Sequence, residues 1–405
     1  MDPRPSASAE EYRSQVRSFL ASNLPSGWAG VGALSETDSA KFAASWRRTL
    51  FEHGFLAITW PVEYGGQGRT KLDQVVLIEE FARAGAPTGS PNDTFGMKMI
   101  GNTLLKWGTD QQKRHYLPRI ISGDDVWCQG YSEPDAGSDL AGLGTRAVLD
   151  GDEWVLDGQK IWTSYAHLAN WIFVLVRSDA TAPRHKGITF LLVPLRQPGI
   201  EVRPITMLNG QREFNEVFFA GARTASDNVV GTVNAGWSVA MTLLSHERGE
   251  EAATNPVMFR NEFDRLVELA RSRGRLDDPV IRQRIADCYV RVETMRFLGL
   301  RILTGYLRDG SLGPEASISK LYWSEYHRIA AALAVDILGP DALIPSGRMP
   351  PRAFRTDDPG APNSTASWVG AFYNSIAGTI YAGTSQVQRN ILGETVLGLP
   401  KEPTV

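Results

Sequence analysis

The chain has 405 residues, 42% of them hydrophobic, and carries 42 basic against 45 acidic side chains for a formal net charge of −3. That length can bury a large core in more than one domain, and the near-balance of charge gives neither a nucleic-acid footprint nor an electrostatic membrane anchor. No apolar run approaches a membrane span, no apolar signal segment follows Met1-Asp2-Pro3-Arg4-Pro5, and the two cysteines, Cys128 and Cys288, lie in apolar surroundings that suit a reducing compartment, so a cytoplasmic, metal-free protein without membrane insertion is expected.

The first third reads as helix. Glu10 to Leu20 and Lys41 to His53 carry apolar residues at helical spacing, stopped by Pro25-Ser26-Gly27 and by Gly54. Trp60 to Gly68 is a loop by its turn residues, Leu72 to Ala84 a strong helix, and Asp110 to Ile121 another, closed by Ser122-Gly123-Asp124. The period then changes. Ala147-Val148-Leu149, Trp154-Val155-Leu156 and Ile161-Trp162 read as short strands joined at Asp150-Gly151 and Asp157-Gly158, because Asp-Gly between apolar alternations is the strongest local hairpin signal. Trp171 to Val176, Ile188 to Val193 and Val217 to Phe219 continue as strands, giving an antiparallel β domain. From Gly236 the helical period returns, with helices expected over Trp237 to Ala270, Pro279 to Arg308, Glu315 to Leu338, Ala366 to Thr379 and Thr384 to Leu397. Pro350 to Thr365 reads as a long loop. The fold class that follows is α+β and multidomain: a helical region over 1–126, a β-barrel or sandwich over 127–235, and a helical bundle over 236–405.

Several catalytic classes are excluded. No GxGxxG follows a strand, and the chain has no P-loop, no HExxH and no G-x-S-x-G elbow. The six histidines are scattered and read as packed or solvated residues, His246 included. What remains is a pair of polar, glycine-punctuated stretches set against strand-like sequence. In Tyr131 to Asp139, Pro134 and Gly137 impose an irregular backbone whose amides, with the Ser132 and Ser138 hydroxyls, are free to meet ring nitrogens and carbonyl oxygens. Trp162-Thr163-Ser164 offers a large aromatic face with hydroxyls at its edge. Two such patches in one β domain fit a flavin-type ligand better than a structural turn.

The run Ser132-Glu133-Pro134-Asp135-Ala136-Gly137-Ser138-Asp139 resembles the T/S-E-P-x-A-G-S-D motif of the acyl-CoA dehydrogenase family. Gly158 to Ser164 resembles that family's N-G-x-K-x-W-I-T/S motif, and Tyr381 to Gln386 its C-terminal E-G-T-S-Q segment. Pro61 to Gly68, Gly108-Thr109 with Gln112 and Leu117-Pro118, Asn215-Glu216-Val217, and Lys320-Leu321 match weaker family positions in the same order. The resemblance spans nearly the whole chain. It implies FAD, lined by Gln129, Tyr131, Ser132, Gly137, Ser138, Trp162, Thr163 and Ser164, with Thr384 and Gln386 meeting another part of the cofactor. It also implies an acyl-CoA substrate near Ser138, Ser245, Arg248, Ala382 and Gly383, and electron-transfer flavoprotein as the acceptor.

In most of the family the base that removes the substrate α-proton is the Glu before the Gly-Thr pair, where this chain has Ala382. Leu243-Leu244-Ser245-His246-Glu247-Arg248 resembles the helix that carries the base in isovaleryl- and long-chain acyl-CoA dehydrogenases, where the terminal Glu is likewise replaced by a small residue. Glu247 is therefore the expected catalytic base, although alone it reads as an ion-paired residue among Arg248, Glu250 and Glu251. Two family segments depart from pattern. R-x-x-F-G is not visible in Ala270 to Leu276, and Q-x-x-G-G-x-G is reduced to Asp336 to Ala342. Both help bind FAD across a subunit interface, so their loss leaves open a homotetramer, a homodimer, or a heterotetramer with a paralogous chain. Similar departures occur in bacterial dehydrogenases of steroid side-chain or other bulky acyl-CoA esters. The alternatives are an acyl-CoA oxidase or flavin monooxygenase on the same scaffold, and a catalytically weak subunit of a heteromeric dehydrogenase.

Overall fold

The computed structural model describes residues 7–246, 248–309, 316–349 and 360–401. The chain divides into two compact units, one of Met1–Thr49, Arg69–Thr88 and Arg248–Val405, the other of Leu50–Gly68 and Gly89–Glu247.

The first unit is helical. Its N-terminal part holds α1 (Ala7–Asn23), α2 (Glu36–Glu52) and α3 (Lys71–Ala84). A capping box at Thr70 and Asp73 starts α3, and Gly85, left-handed at φ 63°, ends it. Phe19, Trp46 and Phe81 pack their rings together, and Glu80, almost wholly buried, receives both Arg13 and Arg17 from α1. The C-terminal part holds α7 (Arg248–Ser272), α8 (Pro279–Asp309), α9 (Ala316–Leu338), α10 (Trp368–Gly378) and α11 (Ser385–Ile391). Phe259, Leu266, Val292, Leu333 and Ala334 form its core, and Cys288 is buried among them. Within that core the His327 ring meets Glu262 Oε1 at 2.8 Å, which bears out the reading of this histidine as a packed residue. The expected helix start at Glu315 and the loop positions 350–359 lie outside the described residues.

The second unit is built on a seven-stranded sheet: β1 (Trp127–Gly130), β2 (Arg146–Asp150), β3 (Glu153–Lys160), β4 (Trp171–Arg177), β5 (Ile188–Pro194), β6 (Ile200–Pro204) and β7 (Asn215–Ala225). The strands run in the order β1-β4-β2-β3-β7-β6, with β5 on the other edge of β4. Three expectations need correction. The sheet is mixed rather than antiparallel, since β1 pairs with β4 in parallel through Trp127↔Trp171 to Gly130↔Val174. The loop between β1 and β2 lets the chain return in the same direction, and β4 and β5 are buried on both faces, as strands of a covered sheet are. Asp150-Gly151 is a hairpin turn, but Asp157-Gly158 is not. Strand β3 runs straight through it, and its register against β7 shifts by one residue there. Gly221 of β7, at φ 71°, absorbs the shift, and its N–H donates to Asp157 Oδ1 at 2.9 Å, so the aspartate secures a bulge instead of a turn. Ile161-Trp162 accordingly lies beyond the end of β3 and is not a strand.

Helices flank this sheet. A π-helical segment, Thr94–Gly101, leads into α4 (Asn102–Trp107), and neither was expected from the sequence. The π-helical segment is dense in apolar and small residues and buried along most of its length, as a helix covered on more than one side is. α5 (Asp110–Ser122) starts at a capping box of Thr109 and Gln112, and Gln112 Nε2 also donates to the carbonyls of Asp227 and Val229. α6 (Gly236–His246) closes the unit. The helix expected over Trp237 to Ala270 is described as α6 and, from Arg248, α7; Glu247 between them lies outside the described residues.

Candidate active site

The two polar stretches of the second unit meet. The Ile161 N–H donates to Ser132 O at 2.9 Å, and the Lys160 ammonium donates to Tyr131 O at 3.2 Å. Glu133 and Ala136 exchange both backbone hydrogen bonds around Pro134-Asp135, so the motif is a tight turn that leaves Gly137 and Ser138 exposed beyond it. Gln129 is on β1, half-buried, in register with Phe173.

This turn is held by a buried ion pair. Lys160, wholly buried at the end of β3, reaches Glu133 Oε1 at 2.6 Å, and the same carboxylate accepts the amides of Gly144 at 2.6 Å and Thr145 at 2.9 Å. Burial alone would raise the Glu133 carboxyl, but Lys160 and these donors override it and hold the group below the usual range. Burial pulls Lys160 down to about 8 in spite of the glutamate. Neither residue stood out in the sequence as part of the site. The available signal was a lysine at an inward-facing strand position, following buried Trp154 and Leu156 at even spacing.

Trp162 adopts a left-handed backbone at φ 59° with its indole more than half exposed. For a bulky L-residue that conformation costs on the order of 1–3 kcal/mol, and such strain collects at ligand sites. Thr163 next to it is locked: its N–H donates to Asn215 O, and its carbonyl accepts both the N–H and the Nδ2 of Asn215. Asn215 is fully buried. Ser164 follows, half-buried.

Two hydroxyls here lack a protein partner. Tyr131 Oη and Thr163 Oγ1 are both buried without a hydrogen bond, and each such orphan costs on the order of 1–3 kcal/mol. Burial also pushes the Tyr131 phenol well above its ordinary value, so it is a neutral donor. Two buried, unpaired hydroxyls and a strained, exposed indole on these two stretches fit a flat ligand with polar edges.

In the first unit, Ala382 and Gly383 form a left-handed turn at φ 51° and 88° between α10 and α11. Gln388 Nε2 donates to Ala382 O at 3.1 Å, and Lys320 Nζ donates to Gly383 O at 2.7 Å. Thr384 caps α11, its side chain accepting the Val387 N–H, while Gln386 is exposed. A Cβ on Gly383 would lie 2.4 Å from Gln388 Nε2, so only glycine allows that approach. Lys320 and Gln388 also went unread as site residues, because one side chain on each of two helices gives no local pattern. Glu247 lies outside the described residues, and Ser245 and Arg248 are placed only as the penultimate residue of α6 and the first of α7.

A helical region, a curled mixed sheet with polar loops at its strand ends, and a second helical region make the architecture of oxidoreductases that desaturate acyl thioesters. The chain belongs to the acyl-CoA dehydrogenase family, whose members are FAD-dependent: the family's N-terminal domain matches residues 6–124, its middle domain 128–222 and its C-terminal domain 234–397. The acyl-CoA dehydrogenase IpdE1 of Mycobacterium tuberculosis is 42% identical over 97% of this chain and 98% of that protein. The solved Tcur3481-Tcur3483 steroid ACAD is 36% identical, covers 99% of this chain and 100% of that one, and superposes with a TM-score of 0.78. The ChsE4-ChsE5 complex from Mycobacterium tuberculosis is 30% identical at the same coverage, with a TM-score of 0.77. Among the described residues no helix is long and apolar enough to cross a membrane, and no cluster of side chains could hold a metal ion.

Proposed function

We propose that the chain catalyses α,β-dehydrogenation of an acyl-CoA thioester to the trans-2-enoyl-CoA, with Glu247 as the base. The observation that carries this reading is the turn at Ala382 and Gly383: its backbone is tied at both carbonyls, yet its side chain is a methyl group that can take no proton. An acid must therefore come from elsewhere, and the Ser245-His246-Glu247-Arg248 run supplies it.

Tyr131, Ser132, Gly137, Ser138, Trp162, Thr163 and Ser164, with Gln129, are assigned to FAD, and Thr384 and Gln386 to a second part of it. The orphaned Tyr131 and Thr163 hydroxyls support this assignment. When bound, FAD supplies the acceptor for the hydride that leaves the substrate β-carbon. The Glu247 carboxylate takes the α-proton as the C–H bond breaks, and the N–H of Ala382 meets the negative charge that develops on the thioester oxygen. Ser138, Ser245, Arg248 and Gly383 are assigned to the acyl-CoA. In this layout residues 127–235 carry the flavin and thioester chemistry, 236–405 carry the base and the oligomer interface, and 1–126 complete the helical scaffold.

The substrate class favoured is a bulky acyl-CoA such as a steroid side-chain ester, supported by likeness to the steroid ACAD. Assembly with a paralogous chain is favoured by relatives whose structures contain two named chains. Electron-transfer flavoprotein is the proposed acceptor. Anaerobic titration with a panel of acyl-CoA thioesters, steroid-bearing ones included, tests the reading through bleaching of the flavin bands. Glu247→Gln should keep its flavin and lose the bleaching; near-normal turnover in that variant ends the assignment of the base.

A further inference from the structure

The turn at 382–383 combines features that a simple helix connection does not need. Two successive residues are left-handed, one of them an alanine, for which that backbone is unfavourable. Each carbonyl of the pair is claimed by a side chain from a different helix: Gln388 of α11 takes Ala382 O, and Lys320 of α9 takes Gly383 O. Both side chains are nearly or wholly buried, Lys320 at 3% and Gln388 at 0% exposure. All peptides here are trans, so tying these carbonyls inward turns the N–H groups of Gly383 and Thr384 to the opposite side. The left-handed φ of Ala382 in turn sets the direction of its own N–H. Glycine at 383 is what lets Gln388 come close enough to act.

We propose that Lys320 and Gln388 are positioning residues for the thioester carbonyl, locking the Ala382–Gly383 turn so that the Ala382 N–H faces the carbonyl oxygen of the bound acyl group. This rests on the function proposed above but concerns a different group from the base. Neither side chain touches the substrate. Released from the clamp, Ala382 relaxes toward the right-handed region, and its N–H swings off the carbonyl while the rest of the pocket stands.

The test compares two ligands on the flavin-loaded enzyme: trans-2-octenoyl-CoA, which has the carbonyl, and S-octyl-CoA, the thioether that lacks it. The wild type should bind the thioester more tightly. In Lys320→Met and Gln388→Met that preference should fall by about three- to tenfold, the worth of one hydrogen bond, while thioether affinity moves less than about twofold. Lys320→Arg should restore part of it. Equal weakening of both ligands means a merely structural role and overturns the proposal, as does an unchanged preference or a wild type that binds the two alike. If Lys320→Met does not fold, Gln388→Met, which removes only the amide donor to Ala382 O, decides the question. Glu247→Gln separates the two assignments. Turnover retained there removes the base alone, whereas loss of thioester preference in the clamp variants stands whatever residue takes the proton.

Discussion

The turn at Glu133–Ala136 and the turn at Ala382–Gly383 solve one problem with different materials. Each is irregular backbone that must hold a fixed shape without a ladder of its own. The first is fixed by a carboxylate and an ammonium that are both withdrawn from water, with Lys160 also taking a carbonyl. The second is tied by one ammonium and one amide, each on a carbonyl oxygen. Charge against charge makes the first turn stiffer but leaves a stranded ion if either partner is lost. Charge against a dipole makes the second easier to perturb and less catastrophic to break.

Variants can break that contrast in graded steps. Lys160→Met should have the largest effect, destabilising the protein by about 3–5 kcal/mol in denaturant unfolding because Glu133 is left buried and unpaired. The same lysine predicts a pH signature. Its folded value of about 8 lies below the 10.5 of the unfolded chain, so between those two pH values the unfolded state holds more protons and stability rises with pH. The rise should vanish in Lys160→Met. Lys320→Met should cost less, about 2 kcal/mol, since what it takes away at the turn is a charged donor to a carbonyl and not one half of a buried charge pair with Glu133. Thr384→Ala, which strips only the cap from α11, should cost about 1 kcal/mol in the same measurement. A loss in Lys320→Met as large as in Lys160→Met would erase the distinction.

Much of the fold was legible because its signals are local. Thr70 and Thr109 announce helices by capping boxes, Gly54 and Gly123 end them, and Asp150-Gly151 makes the hairpin expected of it. Asp157-Gly158 has the same letters and fails for a reason outside its neighbourhood: Gly221 on the facing strand needs a side-chain acceptor, and Asp157 provides it. The parallel pairing of β1 with β4 was likewise invisible, because direction in a sheet is decided by where a chain returns and not by its alternation. In the candidate site, the hydroxyls and the indole could be read from composition and order. The clamps could not, since Lys160 meets Glu133 27 residues away and Lys320 meets Gly383 63 residues away.

The two thiols have a practical consequence. Cys128 lies in the sheet and Cys288 in α8; burial pushes the first far above its ordinary value and the second up to about 12. Neither forms an appreciable thiolate at neutral pH, and neither is reachable by an alkylating reagent while its surroundings are closed. Each compact unit holds one of them. Iodoacetamide labelling, resolved by peptide, would therefore clock the opening of the two units independently, with no engineered probe.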